Sequence, residues 1–465
     1  MSADVTLAVV GGGIAGLAAA YRALDYLPAH RIALLEQQTR LGGKIRSELA
    51  DGFLLEAGPD SFRLPGIAAL TLCRALGLEE ALRFPNPEFA RLYIKRKSRL
   101  HRLPWGIGAP LPQVLRALIK SRLLSAFGLL RAAGEYFLPP RREGGDESIA
   151  NFFTRRFGQD FYRWLAEPLA AGIYGGDATE LSLEALLPQL RKLELECGSV
   201  LGGLMWSDTD RRAGGGVPAA RIATLEGGLE RLVKALEERL RGIVLLKSSA
   251  VTRLRCRERQ YLLRSANGES LTADAVVLAT PAPAAARLVE DLDPALADRL
   301  RTIPFAPSIV VSLAFDRDST RCGFDGYGYL CPRTEGGQVR AVTWVSNKFP
   351  QHAPRGTVLI RAVMRREASN TAKLHDSRAL LETVLTELRG TLEIRTEPLV
   401  WRVDRWDRGI AQYVVGHRQR IELIRHLLER HPGLYLAGSS YDGVGIPDCI
   451  ASGFRAAEEA CSHRE

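Results

Sequence analysis

The chain has 465 residues, 46% hydrophobic and 25% charged, and its 44 glycines and 24 prolines follow no fixed period. This excludes collagen, solenoid arrays and low-complexity disorder, and predicts a globular chain of roughly two to four domains. The net charge of +10 is local: twelve Lys or Arg lie between Arg91 and Arg142 against one acid, Glu135, so the rest is near neutral and nothing points to nucleic acid.

Thr6 to Val10 reads as a buried strand, followed by Gly11-Gly12-Gly13-Ile14-Ala15-Gly16 and an alanine-rich helix to about Leu24. Gly11 permits a tight turn, Gly13 lets a pyrophosphate approach the backbone, and Gly16 lets helix and strand pack closely. The helix start then presents unpaired N–H groups to the phosphates. A second strand, Arg31 to Leu35, ends at Glu36 and Gln37, and an acid 20 residues past Gly16 suits ribose hydroxyls. Asp4 precedes the apolar run and no basic flank makes it a signal peptide, so an intracellular chain is expected.

Arg40-Leu41-Gly42-Gly43-Lys44 and Leu55-Glu56-Ala57-Gly58-Pro59-Asp60-Ser61 follow as two further glycine-bearing turns. From Leu111 to Phe137 a helical wheel gathers Gln113, Arg116, Lys120, Arg131 and Glu135 on one side and leaves a leucine-rich face, with Arg122 the exception. Trp105, Phe127, Tyr136 and Phe137 suit a lipid interface, and basic residues at 91–142 suit an anionic membrane surface. The alternative is a stripe packed on the protein's own core. Thr224 to Leu229 opens a helix and leads to a strand at Ile243 to Leu246, with a further strand at Ala250-Val251. Ala275 to Thr280 reads as another strand, and Gly433 to Gly438 as the last, before Val444-Gly445-Ile446-Pro447-Asp448 opens a final helix. The seven cysteines and eight histidines lack metal or dithiol spacing, so reduced thiols and no metal are expected.

These segments, together with Glu167 to Asp177 and Gln412 to His417, resemble the oxygen-dependent protoporphyrinogen oxidase family of the flavin amine oxidase superfamily, from about Thr6 to Ala460. Ala411 stands where the family usually has proline. The resemblance implies an α/β fold: a discontinuous Rossmann-like FAD-binding domain (1–84, 218–284 and 425–465), a mixed-sheet substrate domain (181–217 and 285–424) and a helical membrane-associated insertion (85–180). It implies non-covalent FAD held by Gly11 to Gly16, Glu36, Gln37, Gly42, Gly43, Lys44, Gly58 to Ser61, Val251, Trp406, Gly438, Val444, Gly445 and Ile446. It further implies Arg63 on a substrate propionate and Gly328, Leu330 and Met364 around the macrocycle.

The activity implied is six-electron oxidation of protoporphyrinogen IX in haem biosynthesis, with molecular oxygen as acceptor and hydrogen peroxide released. No catalytic acid or base is nominated, since the cofactor carries the chemistry. Coproporphyrinogen III oxidation stays open as the nearest alternative, with amine oxidation, carotenoid desaturation and binding without turnover behind it. Expected partners are the porphyrinogen, oxygen, the inner face of the cell membrane, a ferrochelatase and a second copy of the chain.

Overall fold

A computed structural model describes residues 2–64, 66–103, 116, 118–204, 221–319, 323–365 and 376–462. Two large sheets organise them. In the first, Ser2–Val10 lies between Ile32–Leu35 and Ser270–Leu278, parallel to both, and Val244–Leu246 adds outside Ile32–Leu35. Leu434–Leu436 pairs in parallel with the end of Ser270–Leu278, and the hairpin Val251–Arg257 and Gln260–Ser265 extends the other side. Ile32–Leu35 and the ends Leu7–Val10 and Ala275–Leu278 of its two neighbours read as unbroken apolar runs because both faces are covered there. Leu7, Val9, Ile32 and Leu34 pack under the first helix, while Ala8, Val10, Ala33 and Leu35 pack on the opposite side.

That first helix, Ile14–Ala23, is built largely of alanine and glycine, and this lets the last helix, Ile446–Ser462, approach it closely. A Cβ on Gly453 would stand 2.2 Å from the Ala15 carbonyl oxygen, so the pair tolerates no side chain there.

The second sheet runs Val400–Ala411, Phe305–Asp316, Thr357–Met364, Val339–Trp344, Gly328–Leu330, Leu92–Arg96, Arg99–Arg102. Its far face is closed by Ser377–Leu392, whose Leu380, Leu381, Val384, Leu385, Leu388 and Leu392 meet Ile309, Val311, Val339 and Met364. Residues 92–102, expected within the helical insertion, are therefore a hairpin of this sheet, with Leu92–Arg96 parallel to Gly328–Leu330.

The helical region follows that hairpin. Trp105, and Leu111 and Gln113 of the expected amphipathic helix, lie outside the described residues. Within them, the single helix to Phe137 is replaced by a helical stretch that ends at Ser121, a break at Arg122 with φ +54, and a new helix Ala126–Ala133 capped by the Ser125 hydroxyl. Glu135, expected on the polar stripe, is fully buried and pairs with the equally buried Arg156. Its carboxylate also accepts from Ser199 Oγ at 2.7 Å, Val200 N at 2.9 Å and Leu201 N at 3.1 Å. Ile119, Phe127, Leu130, Tyr136 and Phe137 are exposed, Phe137 at 84%.

A second buried carboxylate, Glu194, accepts from Arg155 at 2.6 Å, Arg191 at 2.8 Å and the backbone of Arg141 at 3.1 Å. Burial alone would raise its pKa, but these donors together hold it down to about 2, against 4.5 for the free group. A depressed carboxyl stabilises the fold above its unfolded pKa and stops doing so as pH falls through the folded one. The wild type is thus expected to lose denaturant resistance between pH 4.5 and 2 more steeply than Glu194→Gln. Parallel pH profiles of the unfolding midpoint would refute this.

Candidate cofactor and substrate site

The two sheets face each other across a cavity of about 1340 Å³. Drug-sized ligands occupy cavities of roughly 300–1,000 Å³, so this one has room for a dinucleotide and a second large molecule.

Backbone geometry dominates the first wall. Gly11 has φ +109, donates its N–H to Leu35 O at 2.8 Å, and leaves no room for a Cβ beside Ala279 O. At Gly16 a Cβ would fall 1.9 Å from the Gly11 carbonyl oxygen, so strand and helix cross through the space a side chain would need. Glu36 is 8% exposed, and its two oxygens accept from Gly12 N at 2.7 Å and Gln38 N at 2.8 Å. The two N–H groups hold the carboxylate at the cavity edge, with lone pairs left for ribose hydroxyls.

The second glycine turn is tied to the first, since Gly42 donates to Gly12 O at 2.8 Å. Arg40 then ties it to itself through Leu41 O at 2.9 Å, Ile45 O at 3.2 Å and Gly43 O. Lys44 follows directly. Burial pushes its ammonium down to about 8, and its Nζ stands 5.6 Å from the centre of the Phe305 ring. Gly58 packs on the Lys44 carbonyl with no space for a Cβ, and Arg361 donates to Gly58 O.

Asp60 closes this corner. Burial by itself would raise its pKa, yet Lys348 at 3.2 Å and Arg361 hold it below the usual carboxylate range. Trp406 anchors to the same turn by donating Nε1–H to Ala57 O at 2.8 Å.

The last wall comes from Gly438 and the start of the final helix. Gly438 N donates to Ser452 Oγ at 3.1 Å, and Asp448 accepts from Gly445 N at 3.0 Å. Tyr413 joins the two ends of this loop: its hydroxyl donates to Ser439 O at 3.0 Å and accepts from Gly443 N at 2.6 Å. His417 stacks on the Tyr413 ring at 3.8 Å and bonds Tyr441 O at 3.0 Å. Tyr413→Phe orphans the Gly443 N–H, a loss of ~1–3 kcal/mol, and roughly tenfold weaker cofactor retention is expected. Equal dissociation constants in a titration of the apoprotein would exclude that role.

Of the expected cofactor residues, Gly11, Gly13, Ile14, Ala15, Glu36, Gln37, Gly42, Gly43, Lys44, Gly58, Pro59, Asp60, Ser61, Val251, Trp406, Gly438, Val444, Gly445 and Ile446 line the cavity. Gly12 and Gly16 stand behind the wall and shape it.

The substrate residues divide. Arg63, on the strand Phe62–Leu64, lines the cavity and is exposed. Gly328 does not line it: with φ +143, its missing Cβ makes room for the Val342 carbonyl of the adjacent strand, not for a ligand. Leu330 packs behind Gly172, which does face the cavity. Met364 does not line the cavity, whereas its neighbour Val363 does. Alternation along Thr357–Met364 turns Val363 to the cavity and Met364 to the core under Ser377–Leu392. Arg340, Arg361, Ile173 and Asp448 also line the wall; Ile173 and Asp448 lie within the segments singled out above, whereas Arg340 and Arg361 had no local sequence signal.

The chain matches the family described as flavin containing amine oxidoreductase over residues 14–461. It is 33% identical to a coproporphyrinogen III oxidase of Bacillus subtilis (strain 168), covering 98% of this chain and 97% of that one. It is 30% identical to the chloroplastic protoporphyrinogen oxidase 1 of Arabidopsis thaliana, covering 97% and 87%. A crystal structure of a putative protoporphyrinogen oxidase from Exiguobacterium superposes with a TM-score of 0.87 at 30% identity, with 99% of both chains covered. A glycine-lined cradle that admits no Cβ at Gly11, Gly16 or Gly58, with Glu36 held at its edge, fits the FAD that this family carries. The chain belongs to the flavin-containing amine oxidoreductases and, within them, to the family of protoporphyrinogen and coproporphyrinogen III oxidases.

Proposed function

We propose that the protein oxidises a porphyrinogen to its porphyrin in haem biosynthesis, with coproporphyrinogen III as the preferred substrate and molecular oxygen as acceptor. The charge of the cavity carries this reading. Lys44, Arg63, Arg287, Arg340, Arg361, Arg405 and Arg408 line it against Glu36, Asp60, Asp407 and Asp448, an excess of cations that suits a polycarboxylate and repels an amine.

Non-covalently bound FAD supplies the acceptance of electrons, two at a time, so a six-electron oxidation takes three turns. The chain's part is positioning. Gly172, Ile173, Val310 and Val363 give the macrocycle apolar surface, and Arg63 meets a propionate at the mouth. No side chain is assigned a proton transfer. The plant relatives favour protoporphyrinogen IX as the second reading.

The deciding experiment follows porphyrin fluorescence in air with each porphyrinogen at matched concentration. Faster turnover of coproporphyrinogen III supports the first reading, faster turnover of protoporphyrinogen IX the second, and turnover of neither refutes both.

No described helix is long and apolar enough to cross a membrane. Peripheral attachment is proposed through the exposed Ile119, Phe127, Leu130 and Phe137 beside Lys120 and Arg122. Phe127→Asp with Phe137→Asp is expected to abolish sedimentation with anionic vesicles while leaving FAD content unchanged. Unaltered sedimentation would discard this surface.

A further inference from the structure

Arg340 sits at an irregularity of the second sheet, where the register of Val339–Trp344 against Thr357–Met364 shifts between Val339 and Ala341. Its guanidinium reaches the cavity wall beside Gly175, at the carboxyl end of the helix Glu167–Tyr174, where a Cβ would lie 2.5 Å from Nη1. The residue is 5% exposed. Among the described residues it makes no ion pair and no side-chain hydrogen bond, and its buried Nε has no partner. The carboxyl end of a helix attracts a cation, yet none of those carbonyls accepts from it.

The surroundings deepen the isolation. Arg361 and Arg365 repel Arg340, and the carboxylate that pairs with Arg365, Glu167, is taken up by Arg365 at 3.5 Å and the Arg333 backbone at 3.0 Å. Burial and these neighbours lower its pKa to about 10, so it stays charged at neutral pH. A buried cation without a counter-ion is costly, and one that lines a ligand cavity has its natural partner in the ligand.

We infer that Arg340 binds a substrate carboxylate on the inner edge of the macrocycle and thereby selects a tetracarboxylate porphyrinogen over a dicarboxylate one. This rests on the porphyrinogen reading above. Coproporphyrinogen III carries a propionate on each of its four rings, so any in-plane orientation delivers a carboxylate inward. Protoporphyrinogen IX carries propionates on two adjacent rings only. With those at the mouth on Arg63, vinyl groups face Arg340 and leave it unpaired, which acts against that substrate. Arg63 and Arg340 flank the same helix end, since Arg63 acts electrostatically on Tyr174 and Arg340 packs at Gly175.

The test compares wild type, Arg340→Leu and Arg340→Lys, each checked for FAD content. Arg340→Leu is expected to lower kcat/KM for coproporphyrinogen III by at least about thirtyfold, while the value for protoporphyrinogen IX holds or rises. Arg340→Lys, which keeps the charge but not the fork, should fall between. Equilibrium binding of the two porphyrins, read by quenching of protein fluorescence, should show the same reversal without turnover. Equal losses on both substrates, or none, would overturn the assignment while leaving the porphyrinogen reading intact. A wild type that oxidises neither substrate would remove that reading, and this one with it.

Discussion

Gly16→Val is expected to yield a folded or partly folded chain that purifies without FAD. The Cβ would enter 1.9 Å from the Gly11 carbonyl oxygen and 3.2 Å from the Ala279 side chain, and both are backbone-anchored neighbours that cannot swing aside. Gly11 is held by Leu35 and Ala279 by Val10, so relief has to come from moving the helix Ile14–Ala23 off the sheet. The start of that helix, Gly13 to Ala15, lines the cavity that fits FAD, and binding geometry tolerates little displacement. Gly390→Ala is the control, because its Cβ meets nothing within 4 Å and it sits inside the helix Ser377–Leu392. It should be neutral or stabilising by up to ~1 kcal/mol. Flavin absorbance per chain is the measurement, and full occupancy in Gly16→Val would show that the close crossing is not needed.

Glu135→Ala is expected to destabilise the helical region by about 3–5 kcal/mol, the usual loss when one partner of a buried ion pair is removed. The effect is more than a lost pair. Arg156 would stay fully buried with the carbonyls of Glu135, Leu138, Pro139 and Gly198 to face and, as its remaining anion, Glu194 at 3.7 Å, which Arg155 and Arg191 already share, and the N–H groups of Val200 and Leu201 would lose their acceptor. Replacing both charges, as in Glu135→Leu with Arg156→Met, should recover only part of the stability, since those backbone groups remain unsatisfied. Denaturant midpoints at constant slope give the comparison. Full recovery by the double variant would mean that the charges alone, and not the backbone groups they satisfy, set the cost.

What could be read in advance was whatever the chain states locally. Gly11 to Gly16, Glu36 and Gly42 to Lys44 announce themselves because a turn, a helix start and a close approach each need particular residues at short spacing. Phase within a strand buried on both faces carries no such mark: Thr357–Met364 has apolar residues on either side, so nothing in the strand itself tells whether Met364, the position implied by the resemblance, faces the cavity or the core. The amphipathic wheel failed for a related reason. Arg122 was the one residue off its stripe and is where the helix breaks, whereas Glu135 fitted the stripe only because Arg156, its buried partner, is 21 residues away. Arg340 and Tyr413 acquire meaning from distant segments, so no window of sequence contains their roles.

The first sheet takes its strands from 2–35, from 244–278 and from 434–436, and the closing wall of the FAD cradle from the final helix Ile446–Ser462. During synthesis, the glycine turn at Gly11 to Gly16 therefore emerges from the ribosome long before Gly438 and Gly453, the groups that complete it. Pairings so far apart in sequence close slowly and leave strand edges open meanwhile. Capture of the flavin thus reports that the last helix has docked, making the cofactor a marker of completed assembly as well as the agent of oxidation.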